Sequence, residues 1–218
     1  MFGESPFALI AGAGPGIGRA AALRFAREGY RVAVLAKPGE TTEALQAEGS
    51  LPLVLGVDVA DRRALREALA QVEAALGFPE VLVWNASHGQ PGCITQAEDA
   101  ALLGDLEANL LAPLDAIRWV LPSMRAAARG SILITGGGLG LDPKHSLASS
   151  SLGKALQRHL ALLLDGEFRE QGIHAATLAV CGFVQPGTPL SPDAVAGALW
   201  ELHVQERGTW ERERLLRG

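Results

Sequence analysis

The stretch from Phe7 to Glu28 constrains the fold more than any other. Phe7-Ala8-Leu9-Ile10 is an apolar run of strand length, Ala11-Gly12-Ala13-Gly14-Pro15-Gly16-Ile17-Gly18 is a glycine turn, and Arg19 to Glu28 has the Ala, Leu and Arg content of a helix. A strand, a glycine turn and a helix in direct succession build an anion site. Glycine lets the backbone approach an anion closely, and the first amides of a helix have no acceptor within it. The spacing that fits is G-x-x-x-G-x-G, on Gly12, Gly16 and Gly18. A G-x-G-x-x-G frame fails at Ile17 when begun at Gly12 and at Arg19 when begun at Gly14. Pro15 removes one amide donor, so an anion here relies on the neighbouring amides.

Beyond this unit, apolar runs alternate with helical patterns. Arg31 to Ala36 reads as a second strand, residues 39–49 as a helix after Pro38, and Leu51 to Val57 as a third strand. Asp61 is an N-cap for a helix to Leu76. Val81 to Trp84 is a fourth strand. Thr95-Gln96-Ala97-Glu98 has the form of a capping box, and residues 110–128 form a long apolar helix with irregularities at Pro113 and Pro122. Gly130 to Thr135 is a fifth strand, residues 151–170 a helix, and His174 to Val180 a sixth strand. Ser191-Pro192 opens a helix to Glu206, and Thr209 to Leu216 ends the chain as a short strand. Nearly all-apolar strands alternating with helices imply a parallel sheet covered on both faces. The expectation is an α/β fold, a three-layer doubly wound sandwich in one domain over 1–218, with ligands at the carboxyl ends of the strands.

Composition excludes several functions. A net charge of −5 argues against a nucleic-acid groove. Two cysteines, Cys93 and Cys181, suggest a reducing compartment and supply no metal site by themselves. No apolar run reaches membrane-spanning length, and Met1 to Pro6 do not open a signal peptide. The expected location is the cytoplasm, with no membrane and no metal.

These landmarks together resemble the short-chain dehydrogenase/reductase family over nearly the whole chain. The glycine frame of Gly12, Gly14, Gly16, Ile17 and Gly18 is similar to the family's cofactor turn. Asp58-Val59 closes the third strand, where the family holds adenine. Trp84-Asn85-Ala86-Ser87 resembles its N-N-A-G. Asn109 sits on the fifth helix, Lys154 at the lysine of Y-x-x-x-K, and Cys181-Gly182 at the Pro-Gly after the sixth strand, with Val184 beside the nicotinamide. The resemblance implies a Rossmann-type sheet and a nicotinamide dinucleotide. At the end of the second strand, an acid would accept from the adenosine ribose and repel a 2′-phosphate. Ala36 and Lys37 stand there instead, which favours NADP, with NAD as the alternative; Arg19 could add charge.

The catalytic part of the resemblance is incomplete, marking a divergent member. In the family, a Tyr moves the proton, a Lys binds the nicotinamide ribose and lowers the Tyr pKa, a Ser polarises the substrate oxygen, and an Asn holds a water. Four residues before Lys154 stands Ser150, and thirteen before that stands Gly137. The single tyrosine, Tyr30, lies far from this part of the sequence. A serine alcohol is not ionised as a phenol can be, but it can donate a hydrogen bond. Candidate catalytic residues are Asn109, Ser150 and Lys154, with Thr135 as a substitute hydroxyl. His145 is a candidate acid, against an exposed loop histidine. His88 either lines the substrate mouth or is solvent-exposed. Cys181 reads as a small packing residue. Residues 182–191 replace the family's long lid with a short Pro-rich connection.

Two readings follow: an NADP-dependent oxidoreductase of an unknown carbonyl or alcohol with an altered proton path, or a non-catalytic dinucleotide-binding sensor or scaffold. A fold that binds no cofactor is a third. The stripe Leu152, Leu156, Leu160 and Leu163 makes one helix apolar on two sides, and the resemblance implies a homodimer or homotetramer through helices 110–128 and 151–170.

Overall fold

A computed structural model describes residues 6–218; the reading of Met1 to Ser5 lies outside the described residues. Seven strands form one sheet: β1 (Phe7–Ala11), β2 (Arg31–Ala36), β3 (Leu53–Gly56), β4 (Val81–Trp84), β5 (Gly130–Gly137), β6 (Ile173–Cys181) and β7 (Glu213–Arg217). Their order is β3-β2-β1-β4-β5-β6-β7, and every pairing is parallel. The chain runs outward from β1 to β3, then returns to place β4 on the other side of β1. That reversal opens a crevice at the carboxyl ends of β1 and β4.

The strands are apolar on both sides, yet a period of two persists in what each side touches. Phe7, Leu9 and Ala11 join a core layer with Leu69, Ile117 and Leu164. Ala8 and Ile10 join the opposite layer with Phe25, Val195 and Leu199. The first layer is covered by α3 (Arg62–Leu76), α5 (Ala112–Ala127) and α6 (Ala148–Phe168), the second by α1 (Ile17–Arg27), α2 (Glu40–Ala47) and α7 (Pro192–His203). Burying each large apolar side chain contributes about 1.5–3 kcal/mol, which makes this double layer the main source of stability.

The expected caps at Asp61 and Ser191 form. The Asp61 carboxylate accepts from the Arg63 and Ala64 amides, and the Ser191 hydroxyl from the Ala194 amide. The capping box at Thr95 to Glu98 does not. Ile94–Gln96 makes a 3-10 turn, Ala97 is extended, and α4 (Asp99–Leu106) begins only at Asp99, without a side-chain cap. The expected irregularity at Pro113 lies earlier, in a π turn at Glu107–Leu111 where the Ala112 amide bonds to the Glu107 carbonyl. Pro113 has no N–H for the carbonyl four residues back, so the ladder shifts register before it. Helix α6 starts three residues before the expected Ser151, which draws Ser149 and Ser150 into its first turn. Its leucine stripe is divided: Leu160 is buried, while Leu152 and Leu163 are exposed. The connection between β6 and α7 carries no helix, and Phe183 is exposed there. Among the described residues, no helix is long and apolar enough to cross a membrane.

Candidate active site

The glycine turn divides into packing and open positions. Gly12 has φ +84°, and a Cβ there would lie 2.4 Å from the Ala86 backbone nitrogen. A Cβ on Gly18 would lie 2.4 Å from the Ala13 Cα. These two glycines let the turn fold onto β4 and onto itself. The amides of Gly12 and Ala13 donate to the Leu35 carbonyl, and the Asn85 side chain donates to the Gly12 carbonyl at 2.8 Å. Gly14 and Gly16 are different: nothing stands within 4 Å of where a Cβ would be. Gly14 opens onto a cleft of about 400 Å³ bounded by Gly12 to Pro15, Lys37, Asp58, Val59, Ala108 and the residues from Asn85 to His88. Helix α1 follows with Gly16 as a cap that has no side chain; the Arg19 and Ala20 amides donate to the Gly14 and Gly16 carbonyls, and those of Ile17 and Gly18 have no partner among the described residues. Ile17 is half-buried beside it.

The end of the cleft beside β2 and β3 carries charge. Lys37 Nζ lies 2.9 Å from Asp58 Oδ2, with both side chains well exposed. Burial pushes the Asp58 carboxyl up, but hydrogen bonds from Lys37 and the Ala60 amide outweigh it and hold the group below its ordinary range. Arg19 is bound to Glu48. Ala36 is buried and contributes its carbonyl to the Val57 amide, not a surface to the cleft. Gly182 packs on Leu190 and Val184 on the α7 layer, so neither borders the cleft.

At the other end the structure gathers a polar network. Lys154 Nζ donates to the Thr135 carbonyl at 3.0 Å and to Gln157 Oε1 at 3.1 Å, and burial pulls the lysine pKa down to about 8. Gln157, fully buried, donates to the Ala86 carbonyl at 2.7 Å and reaches Asn109 Oδ1 at 3.4 Å. Asn109, in the π turn, accepts from the His88 amide at 3.0 Å and donates to the His88 carbonyl at 2.7 Å and to the Asp105 carbonyl at 2.9 Å. Asp105, also buried, pairs with His88 Nδ1 at 2.5 Å and accepts from the Ser149 hydroxyl. A Cβ on Gly153 would lie 2.6 Å from the Asn109 amide, so that glycine permits α6 to approach the π turn.

Lys154 and Asn109 therefore meet through Gln157, a residue the sequence reading passed over. Its signal was spacing: Gln157 lies three residues from Lys154 and Asp105 four from Asn109, neighbours on a helix face. Ser, His and Asp are also together here, but the aspartate sits between the other two. Ser149 and His88 each bond to Asp105, not to one another, so no hydroxyl is activated as a nucleophile.

The remaining candidates fall in distinct places. Ser150 packs under the loop after β4, where a Cβ on Gly89 would lie 2.5 Å from its hydroxyl oxygen. That loop is tied down by hydrogen bonds from the Gly92 amide to Ser146 and from the Ala148 amide to Gly92. Gly137 leaves room, with Lys154 carbons at 3.5 Å from a Cβ. Thr135 offers Lys154 its carbonyl. Strand alternation puts its hydroxyl on the side of Leu133, in the α1 and α7 layer, where it is buried without a partner among the described residues. His145 is exposed on the loop before α6. Tyr30 lies at the amino end of β2. Its hydroxyl bonds to His203 Nε2 at 2.6 Å, and burial pushes its pKa up to about 12, which keeps it out of the cleft chemistry. Cys93 and Cys181 are free thiols. Among the described residues no group of His, Cys, Asp or Glu is arranged to hold a metal.

Known proteins are similar to this chain in sequence and fold. The chain is 35% identical over 170 residues to a short-chain type dehydrogenase/reductase of Sinorhizobium fredii, covering 69% of this chain and 66% of that protein. It is 31% identical over 147 residues to a 3-oxoacyl-[acyl-carrier-protein] reductase of Bos taurus, covering 66% and 62%. The chain spans about two-fifths to four-fifths of the length of these and other curated relatives, and less than half of several. A metagenomic short-chain oxidoreductase solved in complex with NADP superimposes with a TM-score of 0.85 at 27% identity, covering 97% of this chain and 96% of that one. The family model for short chain dehydrogenase matches residues 6–195. A sheet of this order, a glycine turn at its reversal point and a match over most of the sequence make the chain a member of the short-chain dehydrogenase family.

Proposed function

We propose that the chain is an NADP(H)-dependent oxidoreductase acting on a carbonyl or alcohol through an altered proton path. The observation that carries this reading is the cleft over Gly14, with Lys37 at one end and the half-buried Lys154 beyond the other. The residues fit a dinucleotide. The open Gly14 and the Ile17 and Gly18 amides at the start of α1 suit a diphosphate, and Lys37 suits a 2′-phosphate. Similarity to a structure holding NADP supports that choice, with NAD as the alternative.

When bound, the dinucleotide supplies or accepts a hydride at its nicotinamide. The chain's part is to hold and to polarise. Lys154 is positioned by Thr135 and Gln157 to take the nicotinamide ribose hydroxyls. Ser150 replaces the tyrosine of the family pattern and is too weak an acid to release its proton near neutrality. Its role is a hydrogen bond to the substrate oxygen, or to a water that delivers the proton. Losing a positioned acid typically costs about 10²–10⁴ in rate, so turnover is expected to be slow. The exposed Leu152 and Leu163 support pairing of two copies through α5 and α6, which sedimentation of dilute protein tests.

The deciding experiment is a titration of the protein with NADPH and NADH, followed by hydride transfer over a panel of ketones, aldehydes and alcohols. NADPH binding tighter than NADH with turnover of some panel member supports the enzyme. Tight binding without turnover across the panel returns the sensor or scaffold reading, and no binding of either overturns both.

A further inference from the structure

We propose that His88 binds the diphosphate of the dinucleotide, and that Asp105 sets which of its nitrogens does so; the inference rests on the cofactor reading above. His88 follows β4 on the wall of the cleft, with its side chain 46% exposed. Both of its backbone polar groups are clamped by the buried Asn109 amide. The ring is fixed as well, by Nδ1 against Asp105 Oδ1 at 2.5 Å. Asp105 accepts from Ser149 at its other oxygen. A carboxylate can only accept here, so the hydrogen lies on Nδ1 and Nε2 is left without a partner among the described residues.

Few donors of the turn are free: the Arg19 and Ala20 amides already bond to the Gly14 and Gly16 carbonyls, which leaves those of Ile17 and Gly18. Pro15 has no N–H in the middle of the turn. Arg19 is bound to Glu48, Lys37 to Asp58, and Lys154 lies farther on with Thr135 and Gln157. His88 supplies what is missing. With Nδ1–H given to Asp105, Nε2 donates to a phosphate oxygen only when the ring carries its second proton. The contact is therefore made by the imidazolium and lost by the neutral ring, which presents a lone pair to the anion. The charged groups facing the ring are Asp105 from α4 and Asp58 from the end of β3, with Lys37 behind Asp58.

The test is calorimetric titration with ADP-ribose, which carries the diphosphate but not the 2′-phosphate that itself titrates near pH 6. From about pH 5.5 to 8.5 the wild-type Kd is expected to rise about tenfold, the size of one charge-assisted hydrogen bond. His88→Gln is expected to bind at the weak, high-pH level throughout. Asp105→Asn turns a side-chain N–H toward Nδ1, moves the neutral ring's hydrogen to Nε2 and flattens the profile, a change that loss of packing alone does not produce. Thermal melts of both variants report folding, and if Asp105→Asn does not fold, His88→Gln decides. A His88→Gln protein that keeps the wild-type pH slope overturns the proposal. So does a wild type that binds NADPH but shows no pH slope with ADP-ribose, which leaves the cofactor reading intact. Failure to bind any dinucleotide removes that reading and this contact with it.

Discussion

The two ends of the cleft are built on different physical terms. At the dinucleotide end, backbone does the work: the turn after β1 meets β4 through glycine contacts, and its binding surface is amide and open space. At the end beside Lys154, side chains do the work: a lysine, an amide-bearing pair and a buried carboxylate are wired together across α4, the π turn and α6. Backbone sites tolerate only glycine at a few positions and almost anything elsewhere. Side-chain sites tolerate replacement if the hydrogen bonds are re-made. Here the second end carries Ser150 and Gly137 beside a closed side-chain network, while the first end is built on Gly12, Gly14, Gly16 and Gly18.

The largest test of that contrast is at the turn. Gly12→Ala places a methyl against the Ala86 backbone at a left-handed φ. It is expected to cost about 3 kcal/mol or more and to abolish dinucleotide binding, read as a lower unfolding midpoint and a silent titration. Gly14→Ala puts its methyl into the open cleft. It is expected to leave the midpoint within about 0.5 kcal/mol of wild type while weakening NADPH at least tenfold. Equal loss of stability in the two variants breaks the division between packing and binding glycines.

Lys154 gives the next effect. Its pKa is about 8 in the folded chain against 10.5 ordinarily. Between those values the unfolded chain binds more protons, so stability rises with pH across that window, by on the order of 3 kcal/mol. Below about pH 8 the lysine is charged in both states and the penalty is constant. Lys154→Met lacks the titration. Urea unfolding at about pH 7.5 and 10 is expected to show wild type gaining on the variant at the higher pH; parallel behaviour removes burial as the cause.

The missing groups can be put back. Gly137→Ser has ordinary contact distance to Lys154 and is expected to fold as wild type. Ser150→Tyr must displace the loop at Gly89, at about 1–3 kcal/mol. The expected order of NADPH-dependent reductase activity is the double variant, then Ser150→Tyr, then wild type, with Gly137→Ser alone adding least because a polarising hydroxyl without a proton donor is half a device. If Ser150→Tyr melts lower and gains no turnover, the loop over Gly89, not the missing phenol, is the barrier.

How much was legible follows the same division. The succession of strands and helices, both side-chain caps and the glycine frame were readable because each depends on local chemistry: apolar periodicity, a short acceptor before a helix, a backbone needing no Cβ. The π turn was not, because Pro113 signals only that a carbonyl loses its partner, and the ladder chooses where to shift. Spacing hinted at Asp105 and Gln157, but their contacts, and those of His88, were unreadable for another reason. Their partners lie up to 71 residues apart, between Gln157 and Ala86, and only the packing of α6 on the π turn brings them together. The Thr95 to Glu98 box misled because a favourable motif competes with a 3-10 turn that closes its own hydrogen bonds.

The smallest expected effect concerns the exposed end. Lys37 and Asp58 form a surface ion pair, worth at most about 1 kcal/mol to the fold. Neither Lys37→Ala nor Asp58→Asn should move the unfolding midpoint measurably. Their effects on binding have opposite signs. A 2′-phosphate must draw Lys37 from Asp58 and sit near that carboxylate, so Asp58→Asn removes a competitor and a repulsion together. It is expected to tighten NADPH about threefold and leave NADH unchanged, while Lys37→Ala weakens NADPH about five- to tenfold with NADH again unchanged. Added salt shrinks both shifts, since the groups are exposed to solvent. If the variants move NADH as much as NADPH, Lys37 is not reading the 2′-phosphate, and the preference for NADP must come from elsewhere in the cleft.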